Sequence, residues 1–150
     1  MLDFIWRLRG SVALDRTGPN EVALERVERL LEGQRKGVSE RGADYLAFDD
    51  PFWSAPFGPN WLAMVIYDRG RFWIEQGLGG RRLHYDLRSL HGLVFCLFGA
   101  LMFFLFGLAF GSLSSGLKLS SGAFAWIYGG NIALAVARVP LAIRNAVRSA

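Results

Sequence analysis

LVFCLFGALMFFLFGLAFG (Leu93–Gly111) and LSSGAFAWIYGGNIALAVA (Leu119–Ala137) are two uncharged runs of 19 residues each. At 1.5 Å per residue, a helix of either run is roughly 28 Å long, close to the ~30 Å hydrocarbon core of a bilayer. The 64 residues after Asp86 contain no Asp or Glu. These features predict an α+β membrane protein. A small N-terminal cytoplasmic domain (residues 1–88) precedes a two-helix transmembrane hairpin (89–139), and a basic juxtamembrane tail (140–150) follows.

The two spans differ in strength. Leu93 to Phe110 holds 12 Leu, Val or Phe residues, which favour insertion by about 4 to 7 kcal/mol. The second run has only Leu119, Phe124, Ile127, Ile132, Leu134 and Val136, worth about 2 to 4 kcal/mol before Asn131 and the glycines are subtracted. It is expected to insert as the return arm and to pack against protein. Ala125, Gly129, Ala133 and Ala137 recur four apart, a ridge that lets helix backbones approach closely, and Gly107 and Gly111 offer a counterpart. Asn131, the one strongly polar side chain near mid-span, is expected to hydrogen-bond between helices.

Orientation follows from the basic residues. Thirteen precede the first span, Lys118 lies in the expected loop Ser112–Ser121, and Arg138, Arg144 and Arg148 follow the second span. The positive-inside rule then puts both termini in the cytoplasm. Arginine outnumbers lysine 15 to 2, a bias associated with GC-rich bacterial genomes, so the expected location is a bacterial inner membrane. The first nine residues do not read as a signal peptide, because Asp3 and Arg7 break the required pattern. After Pro140, the apolar Ile143, Ala146 and Val147 oppose Arg144, Asn145 and Arg148 around a helix, which predicts a tail lying on the inner leaflet.

Residues 1–88 balance 13 basic against 13 acidic residues, so they lack the basic excess of a nucleic-acid domain. Gly18-Pro19-Asn20 predicts a helix start, and Ala23, Leu24, Val27, Leu30 and Leu31 predict its apolar face. Glu25 with Arg29 and Glu32 with Lys36 are i, i+4 pairs, and Gly37 is the expected stop. Strands are expected at Tyr45–Phe48, Trp61–Tyr67, Arg71–Gln76 and Arg82–Arg88, with Asp68-Arg69-Gly70 as a hairpin turn. The domain therefore reads as one helix on a three- to four-stranded antiparallel sheet.

Three groups of residues are candidates for function. Phe52, Trp53, Phe57 and Trp61 lie in a Pro-rich stretch that can anchor a partner or meet the membrane interface. Arg81, Arg82 and Arg88, with Arg138, Arg144 and Arg148, are expected at lipid headgroups. Asp49, Asp50 and His84 carry the alternative of a metal-binding or catalytic site. No nucleophile–base pair, phosphate loop or cysteine pair is evident, since Cys96 is single and Gly77-Leu-Gly-Gly is followed by neither helix nor lysine. No enzyme activity, metal, cofactor or nucleic-acid partner is expected. The expected role is an accessory or adaptor protein that binds membrane lipid and another membrane protein. Self-association through the small-residue ridge, as a structural or channel-like assembly, is the alternative.

Overall fold

A computed structural model describes residues 6–15, 18–50 and 63–148. It is a mixed α+β protein. One antiparallel sheet of five strands has the order β1-β5-β4-β3-β2. The strands are β1 (Arg7–Ala13), β2 (Val38–Arg41), β3 (Tyr45–Asp49), β4 (Arg69–Gly77) and β5 (Gly80–Arg88). The helices are α1 (Asn20–Gly33), α2 (Leu90–Ala109) and α3 (Leu113–Arg148). α3 passes through one π-helical turn, Ala125–Gly129. α2 and α3 are both long and apolar enough to cross a membrane.

The sheet has five strands, more than the sequence suggested, because β1 and β2 were not foreseen. β1 alternates Leu8, Gly10 and Val12 inward with Arg7, Arg9 and Ser11 outward, in full register with β5. Its glycine is required by a close approach. A Cβ on Gly10 would stand 2.2 Å from the Tyr85 hydroxyl. Residues 63–66 form turns where a strand was expected. Arg69 and Gly70 belong to β4, so they are not a turn. The β4–β5 connection lies at Leu78–Gly79, and Gly80 takes a φ of 98°, which favours glycine.

α1 begins at Asn20 as expected, but it ends before Gly37. The Arg35 N–H donates to the Glu32 carbonyl, and the Lys36 N–H donates to that of Leu31. This double closure forces its left-handed residue onto Arg35, with φ 58°. Lys36 thus lies beyond the helix, buried, and pairs with Asp50 rather than Glu32.

The core lies between the inner sheet face and two helices. α1 contributes Ala23, Leu24, Val27 and Leu31, and the sheet contributes Leu46, Phe48, Phe72, Ile74, Leu83, Tyr85 and Leu87. The second helix of that layer comes from the far end of α3, through Ala135, Val139, Ile143 and Val147. The apolar stripe expected on a leaflet is thus covered by protein. Arg26 Nη1 holds this end, donating to the Val147 carbonyl at 2.8 Å. Pro140 lies inside the helix without ending it. An interior proline costs roughly 3 kcal/mol, whereas burying Val139, Ile143 and Val147 contributes about 5 to 9 kcal/mol, so burial wins.

The turn between α2 and α3 is also shorter than the expected loop. α3 starts at Leu113, with Ser112 as its N-cap, accepting from the Ser115 N–H at 3.2 Å. Lys118 is therefore a helical residue.

Candidate interaction surface

All three helices leave one face of the sheet uncovered. On that face the strand register sets side chains in rows. The row nearest α2 reads Arg7, Arg88, Arg69, Asp49 across β1, β5, β4 and β3. The next reads Arg9, Asp86, Arg71, Ala47, and reaches Glu40 on β2. Ser11, His84, Trp73 and Tyr45 form the third. An open groove of about 720 Å³ runs over this lattice.

Arg9 Nε donates to Asp86 at 3.0 Å, and Arg7 approaches the same carboxylate at 3.6 Å. Arg69 Nε donates to Asp49 at 3.1 Å. Trp73 stacks on His84 with ring centroids 5.4 Å apart, and the Arg71 guanidinium lies 5.1 Å from the Tyr45 ring centroid. Arg88 sits in the middle of its row, between two arginines. Among the described residues it forms no ion pair, and its buried Nε has no hydrogen-bond partner. Guanidinium forks and aromatic faces suit binding of anions and planar groups.

The row of arginines adjoins the start of α2, which is held by several bonds. The buried Asp68 carboxylate accepts from the His91 N–H at 3.4 Å. It takes the place of Ser89, whose side chain does not cap. An acid at a helix N-terminus complements the dipole. Ser89 is itself buried, 3.2 Å from the Tyr128 hydroxyl, and its N–H donates to the Trp6 carbonyl at 2.8 Å. Beneath lies Tyr67, fully buried, with its hydroxyl unpartnered. Burial, reinforced by Tyr128 and Tyr85, pushes the Tyr67 phenol well up, and burial raises Tyr85 too.

The residues singled out from sequence are dispersed. Phe52, Trp53, Phe57 and Trp61 lie outside the described residues. Both flanks of their segment adjoin the base of the hairpin: the Asp50 N–H donates to the Asp68 carbonyl at 2.8 Å, and a Cβ on Gly92 would meet the Ile66 carbonyl at 3.2 Å. Arg81 and Arg82 sit at the opposite end of β5 from Arg88, about 20 Å away along the strand. Arg81 is buried and ties down the β1–α1 connection through Asn20 Oδ1 at 2.7 Å, the Asp15 carbonyl at 3.2 Å and the Gly18 carbonyl. Arg82 lies opposite Glu75. Arg138, Arg144 and Arg148 are exposed along α3.

Gly107 meets α3, but at Gly116: a Cβ on Gly107 would stand 2.7 Å from the Gly116 Cα. Gly111 adjoins Ser115. The ridge of Ala125, Gly129, Ala133 and Ala137 is exposed instead, and nothing lies within 4 Å of where a Gly129 Cβ would be. Asn131 Nδ2 donates to Ile127 O at 2.6 Å within its own helix, at the π turn, rather than across to α2. Asp49, Asp50 and His84 do not converge. Each faces a different partner: Arg69, Lys36, and Trp73 with Glu75. No group of three or more His, Cys, Asp or Glu side chains among the described residues could hold a metal ion.

Sequence reasoning missed Arg7, Arg69, Arg71, Tyr45 and Trp73. The alternation Arg69-x-Arg71-x-Trp73-x-Glu75 carries the signal for β4, but Asp68-Arg69-Gly70 resembles a turn and hides its start. No family model, curated protein or solved structure matches this chain.

Proposed function

We propose that this chain is a bacterial inner-membrane adaptor that holds a partner protein against the cytoplasmic side of the bilayer. In this reading α2 and the adjoining part of α3 span the membrane, with both termini cytoplasmic. The observation that carries it is the contrast between two surfaces. α2 is exposed along nearly its whole length through Val94, Phe95, Leu97, Phe98, Leu101 and their neighbours, so it needs an apolar surround. The open sheet face at its base carries arginines, carboxylates, Trp73 and Tyr45, and among the described residues no helix covers it. Phe52, Trp53, Phe57 and Trp61, in the segment between Asp50 and Ala63, would add aromatic anchors to the same contact. The scattered acids and His84 favour binding over catalysis.

The test is purification of tagged protein from native membranes in mild detergent, with mass spectrometry of what accompanies it. A stoichiometric second protein is expected. It should be lost when Trp73→Ala is combined with alanines at Phe52, Trp53 and Phe57, while the chain stays in the membrane fraction. Recovery of self-copies and lipid alone would contradict the adaptor reading.

A second reading has its own support. The small-residue ridge on α3 is exposed among the described residues, so a second copy could pack there. Leucine at Gly129 and Ala133 should then dissociate oligomers in detergent. An unchanged oligomer size would rule this out.

A further inference from the structure

We propose that Arg7, Arg88 and Arg69 form a site for the phosphate of an anionic phospholipid headgroup at the base of the hairpin. This rests on the reading of α2 as a membrane span. Arg88 stands two residues before Leu90, the first residue of α2. At roughly 3.3 Å per extended residue, that puts the row within the headgroup layer, which is about 5 to 8 Å thick on each side of a bilayer. Register aligns the three residues on adjacent strands, about 5 Å apart, so their guanidiniums can converge on one headgroup.

The row is unfavourable as it stands. Like charges directly opposite each other on neighbouring strands repel. At the two sides Arg7 pairs with Asp86, which it shares with Arg9, and Arg69 pairs with Asp49, but the central Arg88 forms no ion pair among the described residues. Its Nε is buried without an acceptor, and such a donor costs free energy until one arrives. A phosphate supplies both the acceptor oxygens and the countercharge, and arginine binds it with a planar fork. Arg81 and Arg82 lack this setting. Arg81 also has one buried amine, Nη2, without a partner, but its Nε and Nη1 are tied to Asn20 and two carbonyls, and it has no arginine opposite it on β4. Arg82 faces Glu75, and both lie at the distal end of the sheet.

The test uses the full chain in nonionic detergent micelles, doped with phosphatidylglycerol or phosphatidylcholine or supplied with inorganic phosphate alone. Retained lipid is read by native mass spectrometry, and vesicle flotation is run in parallel. Retention of phosphatidylglycerol over phosphatidylcholine is expected. Arg88→Gln should weaken that retention about tenfold, Arg69→Gln should weaken it less, and Arg88→Lys should restore part of it. Arg82→Gln makes the same charge change on the same strand and should have no effect. Inorganic phosphate at millimolar concentration should displace little lipid. Equal retention by wild type and Arg88→Gln, or an equal loss in Arg82→Gln, overturns the site. Binding of inorganic phosphate with no preference among lipids overturns the lipid as its source. A wild-type chain that fails to float with vesicles overturns the membrane reading itself. Normal flotation without lipid selectivity overturns only this site.

Discussion

Two stripes on α3 have the same four-residue spacing and opposite fates. Ala125, Gly129, Ala133 and Ala137 are exposed, whereas Ala135, Val139, Ile143 and Val147 are buried against α1 and the sheet. Spacing alone therefore does not decide which face is covered. The buried stripe has branched side chains and more apolar area to withdraw from water, and at about 25 cal/mol per Å² that area determines how the helix docks. The small stripe has little to gain from water exclusion, so it stays free for contacts driven by close backbone approach. One continuous helix thus belongs to two settings. Its first part lies along α2, and its last part completes the helical layer on the sheet.

The contrast can be broken most severely at Ile143. Ile143→Ala should destabilise the sheet domain by about 2 to 5 kcal/mol, read from denaturant unfolding of the detergent-solubilised chain. A loss under about 0.5 kcal/mol would mean that the stripe is not core. Gly107→Leu should cost less, roughly 1 to 3 kcal/mol, because its Cβ collides with the Gly116 backbone. Its effect should appear as a splayed hairpin, seen as altered mobility in mild detergent, with the sheet domain intact.

A smaller effect is expected at Tyr67. Its phenol is held above the ordinary value of 10.0 by burial, so the folded state keeps a proton that the unfolded chain releases. Stability contributed by the neutral phenol is present below pH 10 and falls as the pH rises above it. Tyr67→Phe should flatten that alkaline decline and be neutral, or stabilising by up to about 1 kcal/mol, at pH 7, since it removes an unpartnered buried hydroxyl. An alkaline decline unchanged by the substitution would contradict the account. The smallest effect belongs to the exposed stripe. Ala133→Leu should leave unfolding within about 0.5 kcal/mol of wild type. A large loss would show that the stripe packs inside the monomer.

Much of the domain was legible because local patterns agreed with tertiary packing. The face of α1, the strands β3 and β5, and the two apolar helices could all be read from period and length. Other features were hidden for physical reasons. β1 carries two arginines and a glycine that reads as a breaker, and only Tyr85 lying over Gly10 explains it. The Ser- and Gly-rich start of α3 looks like a loop until Ser112 is seen to cap it. Pro140 reads as a place for a kink, since the burial that holds the helix continuous involves residues more than 100 positions away in sequence. The arginine row was invisible for a related reason. Its members come from three strands, and register rather than sequence spacing brings them together.

Hydrogen exchange of the full chain in lipid nanodiscs would test the two-part helix most directly. The account predicts that amides from Val139 to Val147 exchange slowly, together with those of β4 and β5, as one cooperative unit. Fast exchange of that segment while the sheet stays protected would place it outside the core and contradict the account.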